Sequence, residues 1–452
     1  MHMFWILDPS RGQHLCTCFR VPGVSGKLRR YPAMKPYPVL SPQDQPRALL
    51  LLCLLGALLV TGLPRPLAWA FSPSSIPATV YHAEQDPQVK VALDDFYNLE
   101  YEKAISEFQR IEKAHPEDPF AIVHVLQATV FRELYRLNLL DTTLYAHDGF
   151  LSGKAVIGDP AVRTQVDQLT ARAVKLCDTS LARDPKDVEA LYVRGIARGL
   201  KSTYMALVDK SFLSALRSAV AARRDHERVL QLDPKYVDAK TVVGAHNYVV
   251  GSLPMPVKVF AGLAGLGGNR KRGLEYLQQA AKEGRESSAD ARVALAFFLR
   301  REARYDEASG VVETLTRQYP RNFLFALEHC NLLKDGGKGP EAVNCYEKLL
   351  DGARSAQYAN PHTEFAAFGL AESLRGQKDY ERALRNYQFT ANVPTGQSSL
   401  RQRAELASGE MYDVLRNRDQ AVIQYQAVIE QDNSSAQAEV ARKLLREPYR
   451  PE

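Results

Sequence analysis

Beyond its first 70 residues this 452-residue chain has no tryptophan; Trp5 and Trp69 are the only two. Cysteine is scarce as well, with Cys16, Cys18 and Cys53 near the start and Cys177, Cys330 and Cys345 in the body. Three cysteines spread over so long a body do not make a disulfide framework. Cys330 and Cys345 fall on neighbouring expected helices, which would allow pairing. The reading preferred from sequence is that they pack as small apolar residues. Close metal-ligand spacing is also missing. His82, His115, His124, His147, His226, His246, His329 and His362 form no H-E-x-x-H or similar pair. No G-x-S-x-G elbow occurs. Acidic residues are plentiful and are expected on exposed helix faces as solvating charge. The chain is therefore read as a non-enzyme, without catalytic residues, cofactor or metal.

An excess of one charge is absent where it would count. The net charge is +6, but residues 1–70 hold eight of the 58 basic and two of the 52 acidic residues. That leaves 50 of each in 71–452, so no nucleic-acid partner is expected. Only one long apolar run exists, Ala48 to Leu63, with Arg47 before it and Pro64, Pro66 and Ala68-Trp69-Ala70 after it. Basic flank, apolar stretch and small-residue triplet are the parts of a secretory signal. At 16 residues the run is shorter than the ~20 a spanning helix needs. Residues 48–70 are read first as a cleaved signal peptide, second as an uncleaved N-terminal anchor, and third as a buried helix. Either of the first two exports the body, making it periplasmic or envelope-associated. Residues 1–47 form a long leader, and Met34 would start a more ordinary one. Cys53 lacks the preceding small residue of a lipoprotein cysteine. Residues 71–86 read as a Pro/Ser-rich linker.

From Pro87 on, apolar residues recur at three and four, with no sustained alternation of period two, which predicts helix throughout. A short phrase repeats eight times: a small residue, an apolar or aromatic residue four places later, and often a proline eight beyond that. Ala104, Phe108 and Pro116 are one copy; Ala308, Val312 and Pro320 are another. The centres are Ala104, Ala173, Ala222, Gly273, Ala308, Ala342, Ala383 and Ala421. Their gaps of 69, 49, 51, 35, 34, 41 and 38 cluster near one period. The 69-residue gap predicts a degenerate unit between Tyr135 and Val166, and the gaps near 50 predict insertions.

This pattern resembles the tetratricopeptide repeat, a 34-residue unit of helix A, turn and helix B. Tyr305, Ala308, Val312, Leu315 and Pro320 stand at the family's helix-B positions. Ala342, Tyr346, Leu349, Tyr380, Ala383 and Tyr387 do the same in later units. Gly195, Gly244 and Gly409 match the helix-A glycine. The helix-A tryptophan is absent, and Ala296, Cys330 and Ala371 replace glycine. The resemblance implies an all-α, right-handed superhelical solenoid, with irregular repeats over 87–295 and regular ones over 296–452. A capping helix is expected at Ser434 to Arg446, with Ser434 or Ser435 as its N-cap.

Two insertions break the period. Residues 201–219 carry one apolar stripe (Leu207, Val208, Phe212, Leu213, Leu216), which suits an elongated packed helix or a membrane-surface helix. Residues 249–268 include Leu253-Pro254-Met255-Pro256 and a Gly-rich cluster that lacks phosphate-loop spacing. The tract Gly244, Leu253-Pro254, Gly265, Gly268-Asn269-Arg270 and Gly273-Leu274 is similar to a eukaryotic tetratricopeptide family that includes a mitochondrial inclusion-body clearance factor. That likeness implies a protein-handling adaptor.

In tetratricopeptide register, helix-A position 12 falls on Arg300, Lys334 and Arg375. Position 9 falls on Phe297, Asn331 and Glu372, and position 5 on Val293, Leu327 and Phe368. The resemblance implies a concave groove along these helices. It would grip an extended peptide, the cations pairing with acidic side chains or a terminal carboxylate. A plainer role for the cations is to complement helix C-termini. The function expected is a non-catalytic, exported scaffold or adaptor binding a protein or peptide. The alternative is a membrane-surface component of envelope or lipid handling that uses 201–219 and 249–268.

Overall fold

The structure is a computed structural model. It describes residues 86–141, 157–253, 255, 258, 266–394 and 396–451. The leader, the apolar run and linker residues 71–85 lie outside the described residues. Within the described residues there are seventeen α-helices and no strand. They form consecutive pairs. The first four are α1 (Pro87–Tyr97) with α2 (Tyr101–Ala114), α3 (Pro119–Arg136) with α4 (Pro160–Arg183), α5 (Val188–Leu207) with α6 (Phe212–Leu232), and α7 (Lys240–Gly251) with α8 (Arg270–Glu283). The second four are α9 (Ser288–Arg301) with α10 (Tyr305–Gln318), α11 (Phe323–Asp335) with α12 (Gly339–Arg354), α13 (Thr363–Gly376) with α14 (Tyr380–Asn392), and α15 (Ser398–Val414) with α16 (Arg418–Gln431). A last helix, α17 (Ala436–Arg446), closes the series; the Ser435 side chain caps it by accepting from the Ala438 N–H at 3.0 Å.

The eight-fold phrase explains the pairing. Each of its small residues lies in the second helix of one pair, and the residue four places on turns into the core. Those residues are Phe108, Cys177, His226, Leu277, Val312, Tyr346, Tyr387 and Tyr425, and none is more than 2% exposed. A unit this short cannot bury such a face alone, so neighbouring pairs share one core. The three tyrosines are the largest fillers, and each donates its hydroxyl to the first helix of its own pair. Tyr346 donates to Asn331 Oδ1 at 2.6 Å, Tyr425 to Asp413 Oδ2 at 2.8 Å, and Tyr387 to Glu372. Gly409 makes room: a Cβ there would lie 2.5 Å from the Tyr425 ring.

Local chemistry fixes the helix ends. Asp86-Pro87, Asp118-Pro119 and Asp159-Pro160 start α1, α3 and α4 in the same way. The aspartate accepts a backbone N–H two residues on, and the proline takes the first turn, where no N–H is needed. The turn inside a pair is equally regular. Leu99, Ala303, Gly337, Lys378 and Arg416 each have positive φ, between 55° and 77°. The next residue's N–H then donates to a carbonyl five back, at 2.8–3.0 Å. This is the Schellman closure, and glycine suits its left-handed residue best. Only Gly337 is a glycine. Lys378→Gly and Arg416→Gly are therefore each expected to stabilise the chain by roughly 1 kcal/mol, since L side chains pay about that much in this region. Urea unfolding followed by circular dichroism measures it; a loss of stability would show that the exposed side chains matter more than φ.

One expectation is corrected, that for Cys330 and Cys345. The degenerate unit expected between Tyr135 and Val166 falls largely on residues 142–156; on either side of them α3 packs on α4. Residues 142–156 lie outside the described residues. Over 201–219 the expected elongated packed helix is borne out: the segment ends α5 and begins α6, the most closely packed pair among the described residues. Cys330 and Cys345 form a disulfide, with Cα atoms 5.4 Å apart, that joins α11 to α12. Packing alone does not describe them, because position 8 of helix A faces helix B of the same unit.

Sequence reading also missed a long-range contact. The first pair and α3 dock against α9, α11 and the turns before α11 and α13. Asn322 Nδ2 donates to the Tyr97 carbonyl at 2.5 Å, and the Arg321 N–H donates to Asn98 Oδ1 at 2.9 Å. Tyr97 donates to Asp290 Oδ1 at 3.0 Å and packs on Tyr319; Tyr135 donates to the Asn360 carbonyl at 2.8 Å. One core therefore holds residues from α1 through α15, while α16 and α17 pack in a cluster of their own.

Candidate functional site

The A helices α9, α11 and α13 carry every residue of the expected groove. The structure brings its cations into ion pairs, those of Arg300 and Arg375 reaching the next unit. Arg300 is only 8% exposed; its Nη1 lies 2.8 Å from Glu328 Oε2 and its Nη2 2.5 Å from Asp335 Oδ2. Lys334 Nζ lies 2.5 Å from Asp335 Oδ1. Burial would raise the Asp335 carboxyl, but Lys334 and Arg300 outweigh it and hold that carboxyl below the ordinary range. Asp141, at the end of the docked N-terminal segment, adds negative charge at Arg300. Arg375 is half-buried, with Nη1 2.7 Å from Glu410 Oε2 in the next unit. Acidic residues are thus not confined to exposed faces: Glu328 and Glu410 are buried against Arg300 and Arg375, and Glu364 is buried beside His362.

The other expected groove residues divide. Asn331 and Leu327 are buried, and Asn331 serves the Tyr346 hydroxyl. Phe297 is half-buried beside Phe298. Val293 is exposed. Phe368 is buried edge-on to Tyr387, with the exposed Arg403 stacked over its ring at 4.6 Å. Arg403 and Asp413 were not singled out from sequence. Both stand on α15, whose register is visible from Gly409; their partners are not.

Of the second insertion, residues 254, 256, 257 and 259–265 lie outside the described residues. Asn269 caps α8 by accepting from the Arg272 N–H at 3.0 Å. Gly251, Gly268 and Gly273 let α7 and α8 approach at backbone distance, where a Cβ would meet main-chain atoms at 2.4–2.6 Å. Beside them lies a cleft of about 650 Å³ lined by Arg223, Glu227, Asn247, Arg272 and Tyr276, among others. Its arginines are engaged: Arg223 with Glu227 and His246, Arg272 with Tyr276. Among the described residues no helix is long and apolar enough to cross a membrane. No group of three His, Cys, Asp or Glu among them is placed to hold a metal.

No protein-family model matches the chain. No curated protein matches it in sequence. Solved structures of similar fold include Cut9 in the APC/C hetero-tetramer Cut9–Hcn1 (12% identity, TM-score 0.45), covering 80% of this chain and 55% of that one. The chain thus spans about half of Cut9. Yeast Tom70 is similar at 11% identity and TM-score 0.37, over 79% of this chain and 87% of that one. A tetratricopeptide repeat protein from Parabacteroides merdae is similar at 13% identity and TM-score 0.29, over 72% and 98%. By its own stacked helix pairs and the residues that recur in them, the chain resembles the tetratricopeptide-repeat proteins, an all-α array.

Proposed function

We propose that this chain is a non-catalytic protein-binding scaffold whose A-helix face takes an extended segment of another protein. One observation carries the reading. From α9 to α16, the buried charged and amide side chains, Arg300, Glu328, Asn331, Glu364, Gln402 and Glu410, all belong to the first helices, with Ser373 and Ser408. The second helices bury Thr390 and the hydroxyls of Tyr346, Tyr387 and Tyr425, and those three hydroxyls donate to the first helices. Buried polar groups are costly, so their concentration on one side marks a preorganised surface rather than general wetting. Extended-segment recognition uses such fixed donors and acceptors.

The ion pairs decide how to test it. Removing Arg300 would strand the buried Glu328 carboxylate and cost about 3–5 kcal/mol, confusing binding with folding. Lys334 and Arg403 are more accessible. Peptides selected by display on the full chain are expected to bind the Lys334→Glu, Arg403→Glu double variant at least ~10-fold more weakly, about 1.4 kcal/mol. Helical circular dichroism should be unchanged. Unaltered binding would overturn the reading.

Export is part of the proposal. The Cys330–Cys345 disulfide supports it, because such bonds persist in oxidising compartments and are rare in the cytosol. Trapping thiols in intact cells, with mass spectrometry of this peptide pair and of the mature N-terminus, tests it; a reduced pair would count against it.

A further inference from the structure

We propose that residues 447–451 are a built-in occupant of a peptide site on α13 and α15, and that this site takes, from another protein, an extended segment presenting an unphosphorylated tyrosine between prolines. The inference deepens the scaffold reading and rests on it.

After α17 the chain doubles back across the A helices. Arg418 ends α17 by donating from Nη2 to the Leu444 and Leu445 carbonyls, both at 2.8 Å. Tyr449 then makes the contact. Its N–H donates to Asp413 Oδ2 at 2.8 Å, and its hydroxyl accepts from Arg375 Nη2 at 2.8 Å. Its ring centroid lies 5.2 Å from the Arg375 guanidinium carbon. Tyr449 is half-buried, whereas Glu447, Pro448, Arg450 and Pro451 are exposed. The grip therefore has the two parts of extended-segment recognition, a main-chain hydrogen bond and one selected side chain. Pro448 and Pro451 favour an extended backbone, which lowers the ordering cost of binding.

The site is set without the tail. Glu410 positions Arg375 from one side. Arg418 Nη1 and the Tyr425 hydroxyl hold Asp413 at 2.9 and 2.8 Å. A surface whose polar groups are already oriented can lose its occupant and keep its shape. Its charge also selects. Arg375 is already paired with Glu410 and Arg418 with Asp413, and Glu372 on the same helix as Arg375 adds negative charge, so a phosphotyrosine is disfavoured. Tethering gives the tail a millimolar-scale effective concentration, so an incoming segment meets competition of about tenfold or more in the native chain.

A labelled peptide matching residues 446–451 tests this, titrated into the full chain and its Tyr449→Ala variant. The peptide should bind the variant at least about tenfold more tightly than the native chain. Peptides with alanine or phosphotyrosine in place of the tyrosine should bind the variant markedly more weakly. The variant's thermal unfolding should match that of the native chain. Equal binding to both proteins overturns the proposal. So does no binding to the variant, with or without a loss of stability that would make Tyr449 a structural brace. If display-selected peptides still depend on Lys334 and Arg403 while this peptide does not bind, the scaffold reading stands and this one falls.

Discussion

Gly273→Ala is expected to destabilise the chain by about 2–3 kcal/mol, while Gly310→Ala stabilises it by about 0.5–1 kcal/mol. Both glycines lie inside helices, α8 and α10, so helix propensity favours alanine at each. The difference is what the methyl group meets. At Gly273 a Cβ would lie 2.5 Å from the Tyr248 backbone nitrogen and 2.7 Å from the Gly244 carbonyl oxygen. Main-chain atoms of α7 cannot swing aside as a side chain can, so the two helices must separate. Separation would unpack Tyr248, which is stacked on Phe298 at 3.9 Å and donates to Glu302 Oε1 at 2.8 Å. At Gly310 nothing lies within 4 Å. Urea unfolding of the two variants should therefore give shifts of opposite sign. Two shifts of the same sign would mean that α7 and α8 are not held at backbone contact.

The sequence carried the pairing because the pairing is local. Ala342 and Tyr346 are four residues apart on one helix, and the tyrosine's partner Asn331 lies only one turn and one helix away. The same register correctly placed Arg300, Lys334 and Arg375 on A helices. It did not show what they face. Arg300 meets Glu328 and Asp335, 28 and 35 residues on, and Arg375 meets Glu410, again 35 residues on. A one-unit offset between cation and carboxylate is invisible to a register that treats each unit alone. Further still from view were Tyr97 with Asp290, 193 residues apart, and Tyr449 with Arg375, 74 residues apart. No periodicity links those positions; they meet because the array brings its ends onto its own middle and A-helix face. Cys330 and Cys345 misled for another reason. Both sit at small-residue positions of the repeat, where packing and bonding look alike in sequence.

Acid should weaken this fold through His226, and His226→Phe should remove that part of the weakness. His226 stands on α6 at the core position filled by Phe108 on α2. Its ring meets the edge of Tyr192 at 5.1 Å and lies where a Cβ on Gly195 would come within 2.3 Å. Neither ring nitrogen has a hydrogen-bond partner. Burial pushes its pKa down to about 3. The adjacent Asp225 gives no help, because Arg194 and Arg198 already hold its carboxylate. The folded imidazole therefore stays neutral, while the unfolded one takes a proton below about 6.5. Stability from this group is complete above pH 6.5 and falls as the pH drops towards 3, by about 1.4 kcal/mol per unit. Between pH 7 and pH 5 that is about 2 kcal/mol. Burial pushes Asp290 the other way, up to about 6, so it adds stability as the pH falls from 6 towards 3.8. His124, stacked on Phe108 and lowered to about 4 by burial, adds a loss of its own. Both groups are common to wild type and variant, so the difference between the two proteins isolates His226. Urea unfolding at pH 7 and pH 5 should show the variant's relative stability rising by about 2 kcal/mol on acidification. A difference that stays constant with pH would mean that His226 takes up its proton within the fold, and that the Tyr192–Gly195 pocket opens to water.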